Sequence, residues 1–355
     1  MSSSFGEQVH EALERIERFG SFVSWGRVVS VPLGFEVDSI GPIGIPLTPD
    51  QAQSIKSLCE PAPHGQGEKT VVDPDVRRCW RLDPSRFQLS TPMFLEQVND
   101  ILERVQRDLG LESQKIEARL DHLLLYEPGC FFLPHKDGEK DRRMVATLVL
   151  SPPSSFRGGE LVVRHDGDER VLDFGGGCDF AHLHYAAFYA DCEHEVRPVV
   201  HGHRISLIYH IVLANSKRRQ SSAPSQRKHV TEVAEELRRW PGDGPRLLAF
   251  LMEHEYTQYG LGWDSLKGFD RAKAVVLREA AKAAECEVAL TLLTLHQTGE
   301  AIESYASRRY WDVEERQPKM GEIYEETLLV DHWVDERNDS RVEGAIPVEK
   351  SEIFP

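Results

Sequence analysis

YAAFYADCEHEVRPV (residues 185–199) and HRISLIYHIVL (203–213) decide how this chain folds. Both are runs of β-branched and aromatic residues closed by Gly, Pro, Asn or Asp, the composition of short strands between turns. Working back toward the N-terminus, the same character holds to Ala118 through GGELVVRHDG (158–167), MVATLVLSPP (144–153) and LDHLLLYEPG (120–129). Strands that recur every ~10–25 residues with no helix between them predict an antiparallel sandwich or barrel.

The flanks read differently. Residues 6–19, GEQVHEALERIERF, place Val9, Leu13, Ile16 and Phe19 at helical spacing. Residues 21–90 are rich in Gly, Pro and short β-branched runs, a pattern of short strands joined by loops. A second helix is expected from Pro92 to Leu109, with Phe94, Val98, Ile101, Leu102 and Val105 on one face and Gly110 as its left-handed stop. NSKRRQSSAPSQ (215–226) reads as a linker or exposed loop. Beyond it, His229–Trp240 and Ser265–Ala284 are helical, Glu287–Gln297 is a strand, and the charged tail from Asp331 is expected to be loosely ordered. At roughly 150 residues per domain, 355 residues suggest two domains or one elaborated domain. The division expected is 1–117 as supporting helices and strands, 118–214 as the strand-rich core, 215–226 as linker, and 227–355 as a C-terminal α/β region. The fold class is mainly β with flanking helices (α+β).

Charge and composition narrow the function. Forty-two Lys and Arg against 58 Asp and Glu give a formal charge of −16, which repels polyanions and disfavours nucleic acid as the main ligand. Cys59, Cys79, Cys130, Cys178, Cys192 and Cys286 form no CxxC pair, so reduced thiols are expected rather than a disulfide framework or a four-cysteine zinc site. No run of 18 apolar residues occurs, and Met1–Glu14 has no cationic segment leading into an apolar core. These features predict a cytoplasmic protein without a membrane partner, a nuclear location staying open.

Three features stand in order inside the strand-rich block: His135-Lys136-Asp137, then His194, then Arg204 with Ser206. Residues i and i+2 of an extended segment share a face, so His135 and Asp137 can present an imidazole and a carboxylate to one point. A distant His194 completes two histidines and one carboxylate, a set that leaves coordination positions open and suits non-haem Fe(II). Arg204 and Ser206 also share a face, and a guanidinium beside a hydroxyl suits a carboxylate. Among 15 histidines a lone His-x-Asp carries nothing. Its weight comes from order: a Tyr-x-x-Gly strand end before it, a Gly-Gly-Glu-Leu strand after it, and an arginine ten residues beyond His194.

YEPGCFFLPHKD (126–137), RGGELVV (157–163) and FYADCEHEVRPVVHGHRISLIY (188–209) together resemble the prolyl-4-hydroxylase-like branch of the 2-oxoglutarate/Fe(II)-dependent dioxygenases. The resemblance spans roughly residues 118–213 and implies a double-stranded β-helix, the jelly-roll or cupin-like fold, with N- and C-terminal α/β additions. It implies that His135, Asp137 and His194 are catalytic and bind Fe(II), and that Arg204 pairs with the 5-carboxylate of 2-oxoglutarate. Tyr126 matches a tyrosine that hydrogen-bonds the same co-substrate, and Ser206 matches an Arg-x-Ser arrangement of other branches. It further implies O2 as second co-substrate, release of succinate and CO2, and ascorbate as an accessory reductant. Halogenating relatives carry a small residue where Asp137 stands, so oxygenation is expected. Prolyl hydroxylation of a protein leads by analogy.

Other readings stay open at this level. The same chemistry on a small molecule is one, and a non-catalytic metal-binding scaffold that recruits a partner through residues 227–355 is another. Nucleic-acid demethylating relatives carry a second arginine six residues after the first, where this chain has His210. His182 and His184 share a strand face, and Cys192 shares one with His194, so a zinc or cupin-like site there competes. His201, His203 and His210 are expected on the rim or outer face. Gly138–Arg143 lies where a substrate-contacting lid would emerge. LMEHEYTQYGLGWDSLKGFD (251–270) reads as a binding surface or, with more weight, as a loop packed on the core.

Overall fold

The computed structural model describes residues 4–17, 20–66, 69–112, 114–138, 143–175, 179–214, 226–302, 319–341 and 344–355. Eight strands carry the core: β1 (Ile116–Tyr126), β2 (Phe131–His135), β3 (Met144–Ser151), β4 (Leu161–His165), β5 (Asp168–Leu172), β6 (His182–Tyr189), β7 (Glu193–Val196) and β8 (Arg204–Leu213). A seven-stranded sheet contains β6, β3, β8 and β1 in that spatial order, and a five-stranded sheet contains β5, β4, β7 and β2. Along the chain, β1, β3, β6 and β8 go to the larger sheet while β2, β4, β5 and β7 go to the smaller. All core pairings are antiparallel. Alternation of successive strands between two packed sheets is the double-stranded β-helix.

Burial explains why these runs become strands rather than helices. All eight residues of β3 are buried, as expected of a central strand covered on both faces. Elements before Ile116 extend the same architecture. Val23–Val29 pairs with β6, Trp80–Leu82 with β1, and Arg77–Arg78 with β2. Helix α3 (Pro92–Asp108) lays Phe94, Val98, Ile101, Leu102 and Val105 onto the larger sheet's core and is followed by Gly110 at φ +69°. Helix α2 (Pro49–Lys56), in a region expected to be strands and loops, arises from a capping box in which Thr48 and Gln51 satisfy each other's backbone amides. Its buried residues are Ala52 and Ile55, too few to show a helical period.

A second core lies beside the jelly roll. Helix α1 (Phe5–Glu14) packs Val9 and Leu13 against Val233, Ala234 and Leu237 of α4 (Arg227–Leu237) and against Phe269, Val276 and Ala280 of α5 (Gly268–Ala283). The start of the chain thus packs against its C-terminal helices. Residues 18–19 and 215–225 lie outside the described residues, and with them the end of the first expected helix and nearly all of the expected linker. The strand expected at Glu287–Gln297 is Leu290–Ile302, paired with Lys319–Val334 in a long hairpin. No described helix is long and apolar enough to cross a membrane.

The tail corrects the sequence reading. Lys319–Val334 runs through Asp331, where loose order was expected, and Ile346–Pro347 pairs back onto it. Ile353–Phe354 adds in parallel to Ala249–Phe250, and Phe354 is buried beside Gly6, His10 and Phe250. Charged neighbours masked this, because Val330, Val334, Val348 and Phe354 recur at no single period. Phe354→Ala should therefore cost about 3 kcal/mol in urea unfolding, the usual penalty for emptying an aromatic core site. A change below ~0.5 kcal/mol would show the tail to be loose after all.

Candidate metal centre

The smaller sheet brings the two distant histidines together. In the pairing of β2 with β7, His135 sits directly opposite His194, and Phe132 opposite Val196. The register shifts by one between those positions, a β-bulge at Leu133-Pro134. Pro134 has no N–H to give a regular ladder, so a bulge is its natural place. In an unbroken strand Phe132 and His135, three apart, would face opposite ways. The bulge puts them on one face, where their rings stack at 3.4 Å. The imidazoles of His135 and His194 lie 4.1 Å apart, and Phe188 of β6 covers His194 at 4.5 Å.

Backbone carbonyls set the tautomers. His135 Nδ1 donates to Leu133 O at 2.8 Å and His194 Nδ1 to Cys192 O at 3.1 Å. A carbonyl only accepts, so each Nδ1 carries a proton and Nε2 is the nitrogen turned toward Asp137. Asp137 follows β2 and is held in two ways. Its N–H donates to Ala190 O at 3.1 Å, and its Oδ2 accepts from Thr147 of β3 at 2.5 Å. Its Oδ1 then lies 3.7 Å from His194 Nε2 and 4.0 Å from His135 Nε2. The three donor atoms fall within 4.8 Å of one another.

Burial drives the His135 imidazole down to about 3, with the neighbouring His194 next in effect, so His135 is neutral at physiological pH. Burial also opposes the Asp137 carboxylate, but His194, His135, the Thr147 hydroxyl and His210 outweigh it and hold the group below the usual carboxylate range. The product is two imidazole nitrogens facing one ionised oxygen donor.

A second polar site lies on the larger sheet. Arg204 is 1% exposed, opposite Tyr126 in the β1–β8 pairing, while Ser206 is opposite Leu124. Tyr126, Phe156 and Phe174 surround the guanidinium at 5.5–5.9 Å. Its Nη1 donates to Gly159 O at 2.5 Å. Gly159 has φ +70°, and a Cβ there would meet Val199 at 2.8 Å, so glycine is required. Among the described residues, Arg204 Nε and Ser206 Oγ are buried without a hydrogen-bond partner. Burial lowers the Arg204 pKa and raises that of Tyr126. A buried cation with a free donor, beside a free hydroxyl, is an incomplete site for an anion.

The competing clusters fall elsewhere. His182 and His184 share a face as expected, but both turn to Asp179, at 2.7 and 3.6 Å, and among the described residues neither joins a group able to hold a metal. Cys192 is buried with its thiol pushed up by burial, its Sγ toward Phe22 O. His210 corrects the outer-face expectation: it lies opposite Thr147, which points at Asp137, and so shares that inner face. The five described cysteines are all free. Residues 139–142 of the expected lid and Cys178 lie outside the described residues. Thr147, Phe132, Phe188 and Gly159 were missed by sequence reasoning. A polar Thr147 inside an otherwise apolar run was the available signal.

Comparison with known proteins agrees with this arrangement. Residues 122–212 match the 2OG-Fe(II) oxygenase superfamily. A PKHD-type hydroxylase of Idiomarina loihiensis is 28% identical over 167 residues, covering 45% of this chain and 71% of that protein. Among solved structures, a Pseudomonas putida prolyl-4-hydroxylase aligns with 58% of this chain and 99% of its own at 19% identity and a TM-score of 0.34. A Trichoplax adhaerens prolyl hydroxylase in complex with a hypoxia inducible factor oxygen degradation domain peptide fragment aligns with 58% and 88% at 15% identity and a TM-score of 0.35. Both scores are low, and the fold stands on the sheet order above.

The family implies Fe(II) and 2-oxoglutarate, and the residues fit both. Two imidazoles and a carboxylate converge from one side, a donor set that suits Fe(II) with positions to spare. The unpaired Arg204 Nε and Ser206 Oγ suit the distal carboxylate of the co-substrate. If the guanidinium is kept for a ligand rather than for the fold, Arg204→Met should change unfolding free energy by no more than ~1 kcal/mol, because it removes a costly buried charge together with one hydrogen bond. A loss of 3 kcal/mol or more would make Arg204 a structural residue.

Proposed function

We propose, for a dioxygenase whose residues 122–212 are a 2OG-Fe(II) oxygenase domain, that His135, Asp137 and His194 hold Fe(II) while Arg204, Ser206 and Tyr126 receive the 5-carboxylate of 2-oxoglutarate. The reaction is hydroxylation of a C–H bond, with a prolyl residue of a protein as the substrate class. The observation that carries this reading is the opposed His135/His194 pair, with both Nδ1 atoms tied to carbonyls and one carboxylate at 3.7–4.0 Å. Once bound, iron and 2-oxoglutarate supply the oxidising chemistry, with succinate and CO2 as the co-substrate's products.

The chain supplies position and exclusion of water. His135 and His194 are delivered by adjacent strands, so the spacing of the two nitrogens is that of a cross-strand pair. Thr147 orients Asp137 from the other sheet, leaving Oδ1 turned to the imidazoles. Phe132 packs on the His135 ring and Phe188 on that of His194, which fixes both imidazoles facing Asp137. Arg204 fixes the far end of the co-substrate by a charge-assisted contact in a dry pocket, where such a contact is strong. Asp137 favours hydroxylation over halogenation, since its carboxylate fills the place a halide would need. Prolyl specificity is supported by the likeness of YEPGCFFLPHKD and FYADCEHEV to the prolyl-4-hydroxylase-like branch.

Purified anaerobically and supplied with Fe(II), ascorbate and 2-oxoglutarate, the protein should release succinate on exposure to oxygen, slowly without prime substrate and faster with a proline-containing protein that gains one oxygen atom by mass spectrometry. His135→Ala should abolish the release. Arg204→Ala should raise the 2-oxoglutarate KM roughly 10- to 100-fold, the value of a hydrogen bond to a charged group. Absence of succinate from the wild type, or an unchanged KM in Arg204→Ala, would overturn the corresponding assignment.

A further inference from the structure

The turn between β6 and β7, Ala190-Asp191-Cys192, touches two of the three proposed ligands at once. Ala190 O accepts the Asp137 N–H at 3.1 Å, and Cys192 O accepts the His194 Nδ1 proton at 3.1 Å. Between those two carbonyls stands Asp191, and its carboxylate meets side chains and backbone of the C-terminal region. Its side chain is 7% exposed. Lys267, itself 2% exposed, places Nζ 3.1 Å from Asp191 Oδ1. His254 Nδ1 lies 3.0 Å from Oδ2, and the Glu255 N–H donates to the same oxygen at 3.0 Å. His165, at the end of β4, approaches at 3.6 Å.

The lobe side is equally tied down. Asp270, at the start of α5, accepts from the Glu253 N–H at 2.7 Å, the His254 N–H at 2.9 Å and the Tyr256 hydroxyl at 3.0 Å. Lys267 Nζ also donates to Glu255 O at 3.1 Å. Residues 253–256 are therefore clamped between Asp270 and Asp191. A further tie crosses at the metal centre, where Lys136, between ligands His135 and Asp137, pairs with Glu255 at 2.7 Å. The stretch 251–270, read from sequence as a binding surface or a packed loop, is a packed brace on the ligand-bearing turn.

His165, Asp191 and His254 also satisfy the distance pattern of a metal site. The carboxylate there is already taken by an ammonium and a backbone N–H, which makes it an anion in a cage of protons rather than a ligand awaiting a cation.

Resting on the ferrous reading above, we infer that Asp191 is a positioning residue: held by Lys267 and His254 of the C-terminal lobe, it fixes the turn that orients Asp137 and His194, so the lobe sets the metal affinity of the jelly roll. Groups that orient ligands at one remove typically change metal affinity 10- to 100-fold when replaced.

The test is Co(II) titration of the full-length apoprotein, followed by calorimetry and by the cobalt absorption bands. The wild type should bind one Co(II), and His135→Ala none. Asp191→Asn should bind about tenfold more weakly with a shifted spectrum, and so should Lys267→Met, which leaves Asp191 in place and serves if Asp191→Asn fails to fold. Val276→Ala, which loosens the same lobe within its own core without touching Asp191, should keep parent affinity and spectrum. Unchanged affinity and spectrum in Asp191→Asn or Lys267→Met overturn the inference, as does an equal loss in Val276→Ala. A second Co(II) that disappears in His254→Ala would also overturn it, by making the clamp a metal site. Failure of the wild type to bind Co(II), or binding that survives His135→Ala, would instead overturn the ferrous reading itself.

Discussion

The pairing of β2 with β7 in one register is the constraint from which the rest of the site follows. His135 stands opposite His194 only because the ladder slips by one residue at Leu133-Pro134. Side chains alternate along a strand, so any other one-residue shift would send one imidazole to the far face of the sheet. The second sheet then completes the set, with Thr147 of β3 reaching across to Asp137. A jelly roll is suited to this because successive strands alternate between its sheets. Residues distant in sequence, such as 135 and 194, then meet as neighbours within one sheet, and Thr147 reaches Asp137 from the other.

Electrostatics at the site run against those of the whole chain. The formal charge is −16, yet the interior of the jelly roll holds a fully buried arginine with one nitrogen unpaired among the described residues, and a His135 imidazole kept neutral by burial. An acidic exterior does not prevent a dianionic co-substrate from binding, because the charge it meets in the pocket is local, positive and poorly screened. The same buried charge is a cost to the empty protein, and aromatic rings from Tyr126, Phe156 and Phe174 offset part of it.

Much of this was legible in the sequence, for identifiable reasons. The strand runs of residues 118–213 read correctly because each is short, apolar and closed by a turn former. His135, Asp137 and His194 stood out by their order among neighbouring motifs, and the structure brings their donor atoms together. What escaped was set by tertiary contact. The bulge at Pro134 has no reliable local mark, and the i, i+2 argument for His135 and Asp137 ignored it. His182 and His184 looked equivalent to the metal set until Asp179 claimed them both. The tail looked loose because Phe354 finds its partners at Gly6 and Phe250, far away in sequence. The brace at Asp191 was invisible for the same reason, since its partners His254 and Lys267 lie more than sixty positions downstream.

The most direct measurement is a crystal structure of the full-length protein grown anaerobically with Fe(II), with anomalous data collected at the iron absorption edge. One iron peak is expected, within bonding distance of His135 Nε2, His194 Nε2 and an Asp137 carboxylate oxygen. An iron peak between His165, Asp191 and His254, or no peak beside His135, would contradict it.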